Sequence, residues 1–207
     1  MRPNQLRQVA RVDDQPTPPR EPESPRPELF RLAVDSLSAT GVRSEVRIEA
    51  LRPPQRLAPW SHAISVDVIG TDGSELATGR LVLLHDPDGE EAWDGVLRLV
   101  GYASAEFDGT DAALGSDTLL PGVAWSWLTE ALDERSAAYR AAGGTVTQTL
   151  STRFGDKLGP QATVGVELRA SWTADTADLA AHLLAFVDML CNAAGLPPEG
   201  VTILSPS

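Results

Sequence analysis

The stretch with the most chemical promise is LVLLHDPDGEE, residues 81–91, where an aliphatic run delivers Asp86 and Asp88 to the end of a strand. An Asp-x-Asp pair so placed can supply a carboxylate nucleophile and a general acid for phosphoryl transfer. That chemistry also needs a hydroxyl after the second acid, a downstream lysine and a parallel sheet. Glu90 stands where the hydroxyl belongs, and Lys157 is the only lysine in the chain. DPDG reads instead as a tight turn, opened by aspartate and proline and closed by Gly89. Asp86, Asp88, Glu90 and Asp94 offer at most a weak cation site, since their spacing is not that of a calcium loop.

The other reactive groups do not assemble. His62 begins one strand, His85 ends another, and His182 lies on the last helix, with Cys191 on the opposite face of that helix. No nucleophile elbow, phosphate loop, dinucleotide fingerprint or zinc spacing occurs. No catalytic residue, metal or cofactor is assigned on these grounds, and an enzyme is the less favoured class. Candidate binding residues remain. Arg56 and Trp60 in PPQRLAPW, residues 53–60, lie on a rigid connection from which they could touch a ligand, and His85 closes a strand.

Trp125, Trp127 and Arg135 belong to a long helix that opens at PGVAWSW and is closed by Gly143 and Gly144. At about 100° per residue, Leu128 and Leu132 lie close to Trp125, Ala124, Ala131, Ala138 and Ala142 follow, and Trp127 closes the arc at about 200°. The two indoles bracket an alanine stripe, so the helix is expected to press closely on a sheet with a ring sealing each margin. The rival reading leaves one indole exposed as a partner anchor. Arg135 falls within the stripe, where an unpaired charge is costly. Either the helix overhangs the sheet and Arg135 snorkels or pairs with a carboxylate, or Arg135 reaches an anionic ligand or a partner's carboxylate.

The elements that must position these residues follow from periodicity. Residues 1–26 are rich in proline, hold five arginines and four acids, and read as a disordered arm. A helix from Pro27 presents Leu29, Leu32, Ala33 and Leu37 before Gly41. Alternation marks SEVRIEA and HAISVDVIG as strands with one dry and one wet face. TDGS turns the chain into GRLVLLH, whose unbroken apolar run suits a central strand, and VLRLVGYASAEF returns with a bulge at Gly101. After the tryptophan helix, a second hairpin buries Val146, Leu150 and Phe154, then Val164, Val166, Leu168 and Trp172. A last helix over 175–194 buries Leu179, Leu183, Phe186 and Leu190 and stops at Gly195. Residues 27–207 thus predict a single α+β domain, an antiparallel sheet of about six strands with three helices on one face, in the order helix, four strands, helix, two strands, helix.

Composition narrows the function. The chain has 207 residues and a net charge of −12, and removing the arm leaves 12 basic against 25 acidic groups. An acidic domain repels nucleic acid and favours a basic partner. No apolar run is long enough for a membrane span or signal, and the single cysteine fits a reducing cytoplasm.

Several segments together, PQRLAP at 54–59, GRLVLLHDPDG at 79–89, WSWLTEAL at 125–132, GGTVTQTLS at 143–151, RASWT at 169–173 and AGLPPEGV at 194–201, resemble an actinobacterial family known as domain of unknown function three thousand. The resemblance runs from about residue 27 to the end. It implies a cytosolic actinobacterial protein and assigns neither reaction nor site. The element order is also similar to that of type III secretion chaperones, which pair as dimers and bind extended peptides, with one strand more before the middle helix. The reading reached is a noncatalytic cytoplasmic module that meets an unidentified protein partner through its middle helix or a sheet edge, with a homodimer as one compatible state. The alternative is a small-ligand binder or enzyme with a pocket between sheet and helices, where Arg135, His85 and a tryptophan converge.

Overall fold

The computed structural model of the chain describes residues 26–108, 118–156 and 162–199. Its elements follow the expected order: α1 (Glu28–Ala39), β1 (Val46–Leu51), β2 (Trp60–Ile69), β3 (Glu75–Glu90), β4 (Gly95–Asp108), α2 (Leu120–Glu134), β5 (Tyr139–Thr152), β6 (Ala162–Ala174) and α3 (Ala180–Ala193). All strand pairs are antiparallel, in the order β1-β2-β3-β4-β6-β5. β6 returns between β4 and β5, which leaves β5 at the margin. The expected arm, except Arg26, and Lys157 lie outside the described residues.

The alanine-striped α2 packs on β5 and β6, while helix α3 presses on the central strands. Its Phe186 ring lies over Gly79 of β3 and Gly101 of β4, where an added Cβ would come within 3.0 and 2.8 Å of ring carbons. The bare backbone of two neighbouring strands is the floor of this seat, so glycine serves close approach there. Gly101 is therefore no bulge: β3 and β4 pair without a shift from Ala77 to His85. His182, Phe186, Met189 and Cys191 are all buried, so α3 is enclosed on several sides, between the sheet and the other helices.

Helix α2 ends at Glu134, well before Gly143. Ser136 adopts a left-handed φ of 54°, and the Ser136 and Ala137 N–H groups each donate, at 2.9 Å, to the carbonyls of Asp133 and Leu132. This Schellman closure turns the chain without glycine. Ala138 and Ala142 leave the stripe, and Gly143 and Gly144 lie inside β5. Contact explains Gly144, since a Cβ there would meet the Arg169 carbonyl at 2.3 Å and the Trp125 ring at 2.7 Å.

Three further expectations are corrected. In α1, Phe30 joins Ala33 and Leu37 in the buried stripe while Leu29 and Leu32 are exposed; the Phe30 ring is drawn to Trp60 and His85, at centroid distances of 6.2 and 6.0 Å. Leu150 on β5 is 51% exposed, because this strand has a sheet neighbour on one side only, and Phe154, 81% exposed, lies past the end of β5. Finally, DPDG does not form the turn. β3 runs on through it, Glu90 pairs with Gly95 after a register shift, and a 3₁₀ turn at Glu91–Trp93 with left-handed Asp94 reverses the chain.

The face of the sheet away from the helices is only partly wet. Val82 and Leu84 of β3 join Ala63 of β2 in a small buried cluster, capped by Ala58 and Trp93 from the connecting segments. Leu81 and Leu83 point the other way into the main core, which accounts for the unbroken apolar run of this central strand. Two stability changes follow. Gly101→Ala should cost about 2 kcal/mol as the Phe186 ring is displaced, and Ser136→Gly should add about 1 kcal/mol by relieving the left-handed residue; urea unfolding with an unchanged m value checks both.

Candidate functional site

Because side chains alternate along a strand, the residues beside Gly79, Gly101 and Leu168 point away from the helices. Register then sets Arg80, Tyr102 and Arg169 in one row across β3, β4 and β6. They border a groove of about 560 Å³ on the face away from the helices, with Val100 and Leu51 among its apolar lining residues and Asp67 also lining it. The Arg169 guanidinium carbon stands 5.7 Å from the Tyr102 ring centroid, a cation–π distance. Among the described residues Arg169 pairs with the Glu167 carboxylate, at 3.4 Å, in a solvent-exposed contact. Sequence patterning alone passes over all three members of the row, since each reads as an ordinary solvent-facing residue of an alternating strand.

One row away from Val100, a different cation is buried. Arg98, 8% exposed, donates to the Ala141 carbonyl at 2.9 Å, Thr173 Oγ1 at 3.0 Å and Ser171 Oγ at 2.7 Å. Burial lowers its pKa from the ordinary guanidinium value. Thr173 in turn donates to the Trp93 carbonyl. This network ties the capping turn and the bulged start of β5 to the central strands, and so defines where the cap stops and the groove begins. Arg98 is structural.

Of the residues singled out from the sequence, the structure brings Trp60 and His85 together, paired across β2 and β3 with both rings against Phe30. Arg135 is the C-cap of α2 and forms a bidentate pair with Asp188 of α3, Nε–Oδ2 2.6 Å and Nη2–Oδ1 2.9 Å. Asp188 holds its pKa above the ordinary value. A cavity of about 190 Å³ beside it is lined by Arg43, Leu184, Val187 and Glu199, among others, and includes neither a histidine nor a tryptophan. His85 is buried beneath α1, its Nδ1 2.8 Å from the Val96 carbonyl and its ring stacked on Phe30, while its Nε2 has no partner among the described residues. Trp125 and Trp127 are half-buried against the core, Trp125 on Gly144. Trp60 begins β2 beside Phe30, and Arg56 is exposed with a left-handed φ of 71°. The convergence of Arg135, His85 and a tryptophan does not form. Asp86, Asp88, Glu90 and Asp94 likewise make no group able to hold a metal among the described residues.

Residues 26–202 match the model of a family described as Protein of unknown function (DUF3000). No curated protein and no solved structure matches the chain. No helix among the described residues is long and apolar enough to cross a membrane.

The buried His182 gives a pH dependence. Its Nδ1 accepts the Trp172 Nε1–H at 3.1 Å, and burial lowers its pKa from 6.5 to about 4. Between those values the unfolded chain binds a proton that the folded chain refuses, so stability is lost as the pH falls through this window. The loss attributable to His182 should total roughly 3 kcal/mol. Urea midpoints at pH 7 and 4.5 check it, with His182→Gln showing a shallower decline than the parent.

Proposed function

The chain belongs to the DUF3000 family, whose description carries no activity, and on its geometry we propose that it is a noncatalytic, cytosolic protein-interaction module that receives a partner at the β5 margin of its sheet. One observation carries this reading. β5 is a marginal strand of 14 residues, and from Gly143 to Thr152 it bears no charge. Natural sheets usually blunt such a margin with lysine, proline or an inward charge, because unpaired N–H and C=O groups template a further strand. Here the margin carries the exposed Leu150, and the exposed Leu119 and Val123 belong to the start of α2, which packs beside β5. A partner strand added to β5 would gain main-chain hydrogen bonds and cover this apolar strip.

The titratable groups support a binding role over chemistry. His182 is held by Trp172, His85 by the Val96 carbonyl through Nδ1 alone, and Arg135 by Asp188. The pocket reading near Arg135 gains no support from this, since its guanidinium is already answered. The net charge of −12 favours a basic partner strand.

Hydrogen exchange on the purified chain, with and without its crosslinked partner from native cytosol, tests the proposal. The β5 amides that face away from β6 should exchange fast alone and become protected in the complex, and Leu150→Lys should abolish capture with less than about 0.5 kcal/mol change in stability. Equal capture by Leu150→Lys, or crosslinks confined to other elements, would sink it. Light scattering shows whether the partner is a second copy.

A further inference from the structure

The groove on the face away from the helices is a second feature, independent of the β5 margin. In a chain of net charge −12 it places two guanidiniums in one row on either side of a phenol. Arg80 is exposed and makes no hydrogen bond or ion pair with any described residue. β3 and β6 are separated by one strand, so the Cα atoms of Arg80 and Arg169 lie about 10 Å apart. Two arginine side chains can converge from that spacing on one anion above the Tyr102 ring. Beneath and beside it, Val100 and Leu51 offer apolar surface. From this geometry we infer that the groove is a binding site for a small organic monocarboxylate with a flat apolar body.

Each part of that ligand answers a group on the page. The carboxylate takes charge-assisted hydrogen bonds from Arg80 and Arg169. The flat body lies along Tyr102 and Val100, where water is displaced from apolar surface. Asp67 in the lining and Glu167 beside Arg169 penalise a second negative charge, which selects a monoanion over a dianion. The groove volume falls in the range of small-molecule sites, about 300–1,000 Å³.

Nuclear magnetic resonance titration of the full chain tests this, reading the Tyr102 ring and the Arg80 and Arg169 Nε–H signals. The probes are benzoate, its neutral isostere benzamide, and acetate, which lacks the flat body. Benzoate should saturate these three signals, with benzamide and acetate each weaker by about tenfold or more. Arg80→Gln should weaken benzoate by at least about tenfold, because one charge-assisted partner is lost. Arg80 is solvent-facing, so this variant is expected to fold, and an unchanged melting curve checks that. Leu150→Lys, at the β5 margin, should leave benzoate binding unaltered. The inference is overturned if benzoate does not saturate these signals, if benzamide binds equally well, or if Arg80→Gln binds as the parent does.

Discussion

The seat of Phe186 on the bare backbone of Gly79 and Gly101 sets the distance between the helical layer and the sheet. A ring that close to two strands leaves no space between α3 and the sheet, and it makes α3 the element on which the other two helices are assembled. α1 meets its N-terminus, where Ser36 Oγ accepts the Leu179 N–H, and α2 packs along it and is pinned at its end by Arg135 and Asp188. The same enclosure explains the polar groups that α3 carries. His182 is stable inside because it is neutral and accepts the Trp172 indole N–H, while Cys191 is a buried thiol whose pKa is raised by burial.

On the other face the structure solves a different problem. Among the described residues, cover on this face lies at the end of the sheet around Val82 and Leu84, and short connections supply it instead of helices. Such a cap has little apolar area of its own, so hydrogen bonds hold it: Arg98 and Thr173 reach the carbonyls of Ala141 and Trp93. A buried guanidinium without a carboxylate is tolerable only because neutral acceptors surround it. Beyond the cap, the arginine and tyrosine row is left open to solvent.

Much of this was legible in the sequence. Alternation located the strands, TDGS its hairpin, and Gly195 the end of α3, whose buried Leu183, Phe186 and Leu190 were anticipated together with Leu179 at its N-cap. Glycines misled. Gly143 and Gly144 looked like a helix stop and Gly101 like a bulge, because a glycine that permits a turn and a glycine that admits a neighbouring ring carry the same local signature. Leu150 and Phe154 misled for a related reason: hydrophobic alternation says that a side chain would favour cover, not that the fold provides any.

By itself the sequence determined the kind and order of the elements and which side of each seeks the core, since these depend on neighbours within a few residues. Tertiary structure alone decided that β5 lies at the margin, that Ser136 ends α2, and that Arg80, Tyr102 and Arg169 share a row. Those outcomes depend on strand order and register between segments far apart along the chain, and no local spacing encodes them.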